Sequence, residues 1–444
     1  MMPSHRFLRL IVPVILFVLP AGCGQWLGGG NTKTTLEGER LDVLGGGSNL
    51  AVDKRVSNLD VILPQPKLNE DWPQAGGYPS HAMHHLAASG PLEKIWRANI
   101  GEGSDDEAQL LAEPIIAGKR VFTVDSHAKV AAFDIKTGNR VWQVKLSKND
   151  LNEGILGGGL AFENAKIFVT TGFADVVALD AMSGKEIWRK RLNAPIRAAP
   201  TVLGKRVFVV TTNNELFALA TPDGRKLWTH SGLSEIAGLV GGASPAVDSG
   251  VVVVPYSSGE VVALRVENGR QVWTEALTAI RRSDAVTAIS HIRGRPVIDR
   301  GIVYVVSNGD RTAAIDLRTG IRLWEVAIGG RNGAWAAGDF IYVLTRNAEL
   351  VCLTRRGGRV RWISQLPRYT DPEDKDEAIL WTGPTLAGDR LLIGNSEEEV
   401  WFVSPYTGKI LRRMEIGGAV LIPPIVAQET IYVLTDEADL ISFR

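Results

Sequence analysis

One twelve-residue segment recurs seven times without a gap, and no other feature constrains the fold as strongly. The copies are AAFDIKTGNRVW (131–142), VALDAMSGKEIW (177–188), FALATPDGRKLW (217–228), VALRVENGRQVW (262–273), AAIDLRTGIRLW (313–324), VCLTRRGGRVRW (351–362) and WFVSPYTGKILR (401–412). Glycine is eighth in all of them: Gly138, Gly184, Gly224, Gly269, Gly320, Gly358 and Gly408. Tryptophan is twelfth in the first six, and Arg412 replaces it in the last. Alternating apolar residues make a strand. A polar pair with glycine makes a tight turn, because glycine adopts positive φ at no steric cost. A second short strand then carries the tryptophan. Upstream of each hairpin lies a further strand, such as RVFVV (206–210) or TIYVL (430–434), and before it a proline with a short apolar run.

The proline gives a second register. Pro114 to Trp142, Pro200 to Trp228, Pro245 to Trp273, Pro296 to Trp324 and Pro384 to Arg412 all span 28 residues, with Leu160 and Ala334 at the equivalent place in the other two units. Each unit is therefore four strands without an internal insertion. Length varies only between one tryptophan position and the next proline position: 18, 18, 12, 17, 23, 10, 22 and 12 residues along the chain.

Pro424 opens an eighth unit that reaches only its third strand, LISFR, by Arg444. Near the other end, EKIW (93–96) matches KEIW (185–188). An N-terminal strand that completes the last unit closes a ring and removes the free edge between first and last units. A stack of repeats would instead need distinct polar caps. The expectation is an all-β chain: an eight-bladed β-propeller of four-stranded antiparallel blades over residues 70–444, closed by the N-terminal strand.

The N-terminus is a separate matter. Arg6 and Arg9 precede an apolar run from Leu10 to Leu19, then Pro20-Ala21-Gly22-Cys23, which reads as a secretory signal over residues 1–22. The run is too short to span a bilayer comfortably. The small residues before Cys23 resemble a bacterial lipobox, which implies lipidation of the Cys23 thiol. Gly24 follows, and in the lipoprotein-sorting scheme of enteric bacteria a residue other than Asp there implies the outer membrane. Residues 23–69 are rich in Gly, Ser, Thr, Asn and charge, and read as a flexible tether.

Composition removes other classes. Lys+Arg and Asp+Glu are 49 each, which argues against a broad nucleic-acid-binding surface. Two cysteines exclude a disulfide framework and Cys-rich zinc modules. Cys352 sits at an inward strand position and reads as a small buried hydrophobe. His81, His84 and His85 cluster before the first strand; their spacing matches no metal motif, and they read as a solvated loop. The GGG runs at 45–47 and 157–159 lack the strand–loop–helix context and Lys of a phosphate loop. The acidic run DPEDKDE (371–377) lacks the alternation of a calcium loop and reads as solvated. No metal site and no catalytic constellation is expected. The recurring Trp96, Trp142, Trp188, Trp228, Trp273, Trp324 and Trp362 read as structural, each packing between adjacent blades.

The A-x-D-x-x-T-G-x-x-x-W pattern, clearest in AAFDIKTGNRVW and AAIDLRTGIRLW, resembles the tryptophan-docking motif of quinoprotein-type propellers. The resemblance covers about 350 residues and the lipoprotein signal. One branch, the quinoprotein alcohol dehydrogenases, holds pyrroloquinoline quinone under a disulfide of adjacent cysteines, with calcium on Glu, Asn and Asp. No adjacent cysteine pair exists here. The other branch is the BamB family, non-enzymatic outer-membrane assembly lipoproteins. That resemblance implies no cofactor, lipid anchoring at the periplasmic face of the outer membrane, and a role in folding and inserting β-barrel proteins. It implies as partners the periplasmic repeat domains of a BamA-like protein, with unfolded clients gathered nearby. A propeller binding another envelope component is a third reading.

In the BamB family the partner contact uses the connections before two central blades. Here these are GLSEIAGLVGGASP (232–245) and EALTAIRRSDAVTAISHIRGRP (275–296). The family's Leu-x-Leu-Arg aligns with Ala237, Leu239 and Val240, so only Leu239 matches. Its Asp-x-Asp aligns with His291 and Arg293, so both acids are lost. Arg281, Arg282, Arg293 and Arg295 make the second connection basic.

Overall fold

A computed structural model of the chain describes residues 50–146, 157–233, 242–277 and 291–444. All regular structure among these residues is β, and no helix is long and apolar enough to cross a membrane. Eight four-stranded antiparallel sheets form the ring. Blade 1 spans Ile115–Lys145, blade 2 Gly158–Arg191, blade 3 Thr201–Ser231 and blade 4 Ala246–Ala276. Blade 5 spans Val297–Val326, blade 6 Trp335–Gln365 and blade 7 Trp381–Glu415. Blade 8 joins three strands within Ile425–Phe443 to the strand Lys94–Asn99, which pairs antiparallel with Asp439–Phe443. The N-terminal strand thus closes the ring as the matching of EKIW to KEIW predicts.

Register explains the repeat. In every blade the fourth strand bulges one residue before the docking position. The docking tryptophan then sits opposite a small residue: Ala132, Ala178, Ala218, Ala263, Ala314, Cys352 and, in blade 8, Ser442. Cys352 is fully buried and free, and burial pushes its thiol pKa up, as suits a small apolar filler. In blade 7 Arg412 replaces the tryptophan, and the opposite residue is the large Phe402. Volume lost on one strand is restored on its neighbour.

Each tryptophan reaches forward to the next blade. Its indole N–H donates to a backbone carbonyl there: Trp96 to Ile135, Trp142 to Ala181, Trp188 to Thr221, Trp228 to Val266, Trp273 to Leu317, Trp324 to Arg355 and Trp362 to Pro405, at 2.7–3.1 Å. Its ring lies on the next blade's turn glycine. A Cβ added at Gly224, for example, would stand 2.7 Å from the Trp188 ring. The turn glycine answers two demands, positive φ and room for the ring. The tryptophans are structural locks between blades.

Residues 50–69 differ from the tether expectation. Asp53 N–H donates to Val360 O at 2.9 Å, Arg361 donates to Leu59 O, and Val61 is buried among Tyr342, Leu386 and Trp401. A run without periodicity is still held when its few apolar side chains find a blade surface. The rest of that expected tether, Cys23 and the signal segment lie outside the described residues.

The histidine segment also differs. Residues 69–86 form a belt inside the ring and touch the innermost strands in order. Asn69 O accepts from Gln428 in blade 8, and Trp72 exchanges two 2.8 Å bonds with Ile116 in blade 1. Pro73 O accepts from Phe162 in blade 2, and Gln74 Oε1 takes Val202 N–H in blade 3 at 2.9 Å. Pro79 O serves Val247 in blade 4, and Ser80 O serves Ile298 in blade 5. His84 O accepts from the Trp335 indole in blade 6, and Leu86 N–H donates to Leu386 O in blade 7. An innermost strand has one edge without a partner strand, and such groups must be satisfied. The belt supplies one or two partners to each blade. His81 and His85 are therefore buried rather than solvated, bonded through Nδ1 to Pro296 O and Pro64 O, both at 2.7 Å. His84 is half exposed.

Candidate functional site: the arginine-lined channel mouth

The connections between blades descend into the innermost strands at one mouth of the central channel. There the last residues before each inner strand enclose a cavity of about 160 Å³, floored by the belt through Trp72, Gly76 and His81. This is the face on which chain length varies, so loops of differing length surround a fixed rim.

The rim's charge follows from repeat register. Arg197, Arg293 and Arg331 each stand three residues before the proline position of their blade, at Pro200, Pro296 and Ala334 (197 to 200, 293 to 296, 331 to 334). A ring places equal register positions at equal height, so all three line the cavity, from blades 3, 5 and 6. Arg295 and Glu113 share a second register, one residue before Pro296 and Pro114. Blades 5 and 1 stand opposite in an eight-membered ring, and the two side chains pair across the channel. Glu113, 5 % exposed, also accepts from Gly76 N–H at 2.8 Å. Among the described residues, no carboxylate pairs with Arg197, Arg293 or Arg331. Burial, then the Arg331 charge, lowers the pKa of Arg293.

Two residues of the cavity lining each bury a polar atom, closed off from the cavity space, that lacks a partner among the described residues. These atoms are the indole N–H of Trp72, 2 % exposed, and Nε2 of His81, 6 % exposed. The His81 Nδ1 contact is with a carbonyl, so that nitrogen carries the proton and Nε2 presents a lone pair. Burial and the Arg295 charge hold the His81 pKa down at about 3, so the ring is neutral at ordinary pH.

The expected partner residues separate. His291 is buried, with its pKa held at about 4 by burial and by the Arg293 and Arg197 charges. Arg293 lines the cavity. Ala237, Leu239 and Val240 lie outside the described residues, as do Arg281 and Arg282. Sequence reasoning singled out Arg293 and Arg295 but missed Arg197, Arg331, Trp72 and the pairing of Glu113. For the arginines the signal was present, in counting back from the proline register. The acidic run forms an exposed hairpin of two short strands, Tyr369–Asp371 and Asp376–Ala378.

A family model described as "Outer membrane protein assembly factor BamB" matches residues 93–153 and 129–364. The assembly factor BamB of Yersinia pestis is 26% identical over 356 residues, covering 79% of this chain and 88% of that protein. Among solved structures, BamB from Moraxella catarrhalis superposes with a TM-score of 0.68 at 18% identity, covering 80% of this chain and 99% of that one. The quinohemoprotein alcohol dehydrogenase of Comamonas testosteroni gives 0.62 at 12% identity, covering 84% and 80%. Both structural likenesses bear on the fold alone.

Proposed function

Because this chain belongs to the family of the outer membrane protein assembly factor BamB, we propose that it is a non-enzymatic scaffold for β-barrel assembly, anchored by lipid on Cys23 at the periplasmic face of the outer membrane. Its partner in this reading is the periplasmic repeat region of a BamA-like protein, bound at the channel-mouth face by the connections 232–245 and 275–296. The observation that carries the reading is the family match across residues 93–364, joined to a ring that presents its variable connections on one face. A rim fixed by eight hydrogen-bonded sheets suits a docking platform, since a preorganised surface needs little ordering on binding.

A quinone-and-calcium centre does not fit this cavity. Calcium wants six to eight oxygen ligands, several of them carboxylates. Among the described residues the cavity is lined by one carboxylate, Glu113, already paired with Arg295, and by three further arginines. That field repels a dication.

The test is co-purification of the full chain from native membranes, with Leu239→Glu and Arg293→Glu as variants. Recovery of a BamA-like barrel protein with the native chain, reduced at least tenfold by either variant while blade folding is retained, is the expected result. Native chain that brings down no such protein overturns the scaffold reading. Undiminished recovery with both variants moves the contact elsewhere on the ring.

A further inference from the structure

The geometry points to a second property of the channel mouth: it is a binding site for a phosphate-type oxyanion. Three guanidinium groups, on Arg197, Arg293 and Arg331, meet in one cavity with no carboxylate partner among the described residues. Among the described residues one acid lines the cavity, Glu113, and it is paired with Arg295. Arg197 and Arg293 are partly buried, Arg331 is exposed beside them, and like charges set this close repel, so the arrangement is favoured when an anion or dense hydration offsets them. Guanidinium forks bind phosphate oxygens in pairs, which is why arginine rather than lysine forms such sites. That all three occupy one register position means that the ring aims them at the same height.

The ligand class follows from the three forks alone. A tetrahedral oxyanion presents several oxygens to guanidinium groups that approach it from different blades. Phosphate, a phosphomonoester and sulfate share this shape and charge. The cavity is large enough to admit such a group with some of its waters. Free phosphate and the phosphate end of a larger headgroup share this chemistry.

The experiment is isothermal titration of the full-length chain in non-ionic detergent, in phosphate-free buffer near pH 7 and low chloride. Inorganic phosphate, sodium sulfate and glycerol 3-phosphate are the three probes. Saturable one-to-one binding of phosphate is expected, with sulfate competing for the same site. Arg197→Gln and Arg331→Gln each weaken phosphate at least tenfold. Glycerol 3-phosphate binding as well as phosphate assigns the site to a headgroup; phosphate alone assigns it to the free anion. Absence of saturable phosphate binding overturns the proposal. So does phosphate binding that neither arginine variant weakens in protein whose thermal midpoint is native.

Discussion

The turn glycine of each blade is under two independent constraints, and they can be separated by substitution. Gly224 has φ +69°, and an added Cβ would stand 2.7 Å from the Trp188 ring. Gly204, in the same blade, has φ +62° but nothing within 4 Å of an added Cβ. Gly204→Ala therefore meets only the left-handed backbone cost, about 1–2 kcal/mol. Gly224→Ala meets that cost and also displaces the indole, so a loss about 1–3 kcal/mol larger is expected, in line with overpacked cores. Urea unfolding of the two variants measures the difference, and equal losses would leave the glycine as a turn former alone. The residue facing each tryptophan carries the same reasoning across the sheet, from Ala218 to Cys352 and, inverted, to Phe402 opposite Arg412.

At the scale of elements, the belt is where the sequence spoke least. The blades were legible because strand alternation, turn glycine and proline recur at fixed spacing, and seven copies of a weak pattern make a strong one. Closure was legible from one matched tetrapeptide, EKIW. The belt has no period. It gives one or two residues to each of eight sheets, so its hydrogen bonds follow the ring's geometry rather than its own sequence. His81 consequently read as solvated although its ring is buried, and Trp72 carried no pattern that marked it for the channel. The same burial gives the belt a pH signature. The His81 pKa falls from its ordinary 6.5 to about 3 in the folded chain. Between those values the unfolded chain holds a proton that the folded chain refuses. The His81 contribution is therefore complete above pH 6.5 and is lost as pH falls toward 3, at up to about 1.4 kcal/mol per pH unit. His291 acts in the same direction down to about 4. Urea midpoints at pH 7.5 and 5.0 should drop for the native chain, and His81→Asn should recover about half of that drop. An identical drop in the variant would assign it to other groups.

At the scale of the whole molecule, the ring has eight junctions and seven tryptophan locks. The junction between blades 7 and 8 lacks one, since Arg412 stands in the docking place and donates instead to Pro91 O at 3.3 Å. The seam between blade 8 and blade 1 depends on Trp96, from the strand Lys94–Asn99, lying on Gly138 and bonded to Ile135 O. Trp96→Ala is expected to cost about 3–5 kcal/mol, as large-to-small core changes do. Trp188→Ala should cost a similar amount, yet only Trp96→Ala frees the closing strand. Limited trypsin digestion should then cut first at Lys94 or Arg97 in that variant and not in Trp188→Ala. Common first cuts in both would mean that the seam is held by its strand pairing alone.

The belt lies earlier in the chain than every blade it touches. It meets blade 8, runs past blades 1 to 7 in sequence, and only then does the chain enter the strand that closes blade 8. Its docking sites do not exist together until the chain has been read to its far end. During synthesis, which proceeds from the N-terminus, this segment waits while its anchors are made one by one. It works as a drawstring, laid down first, pulled last, and holding the finished ring from within.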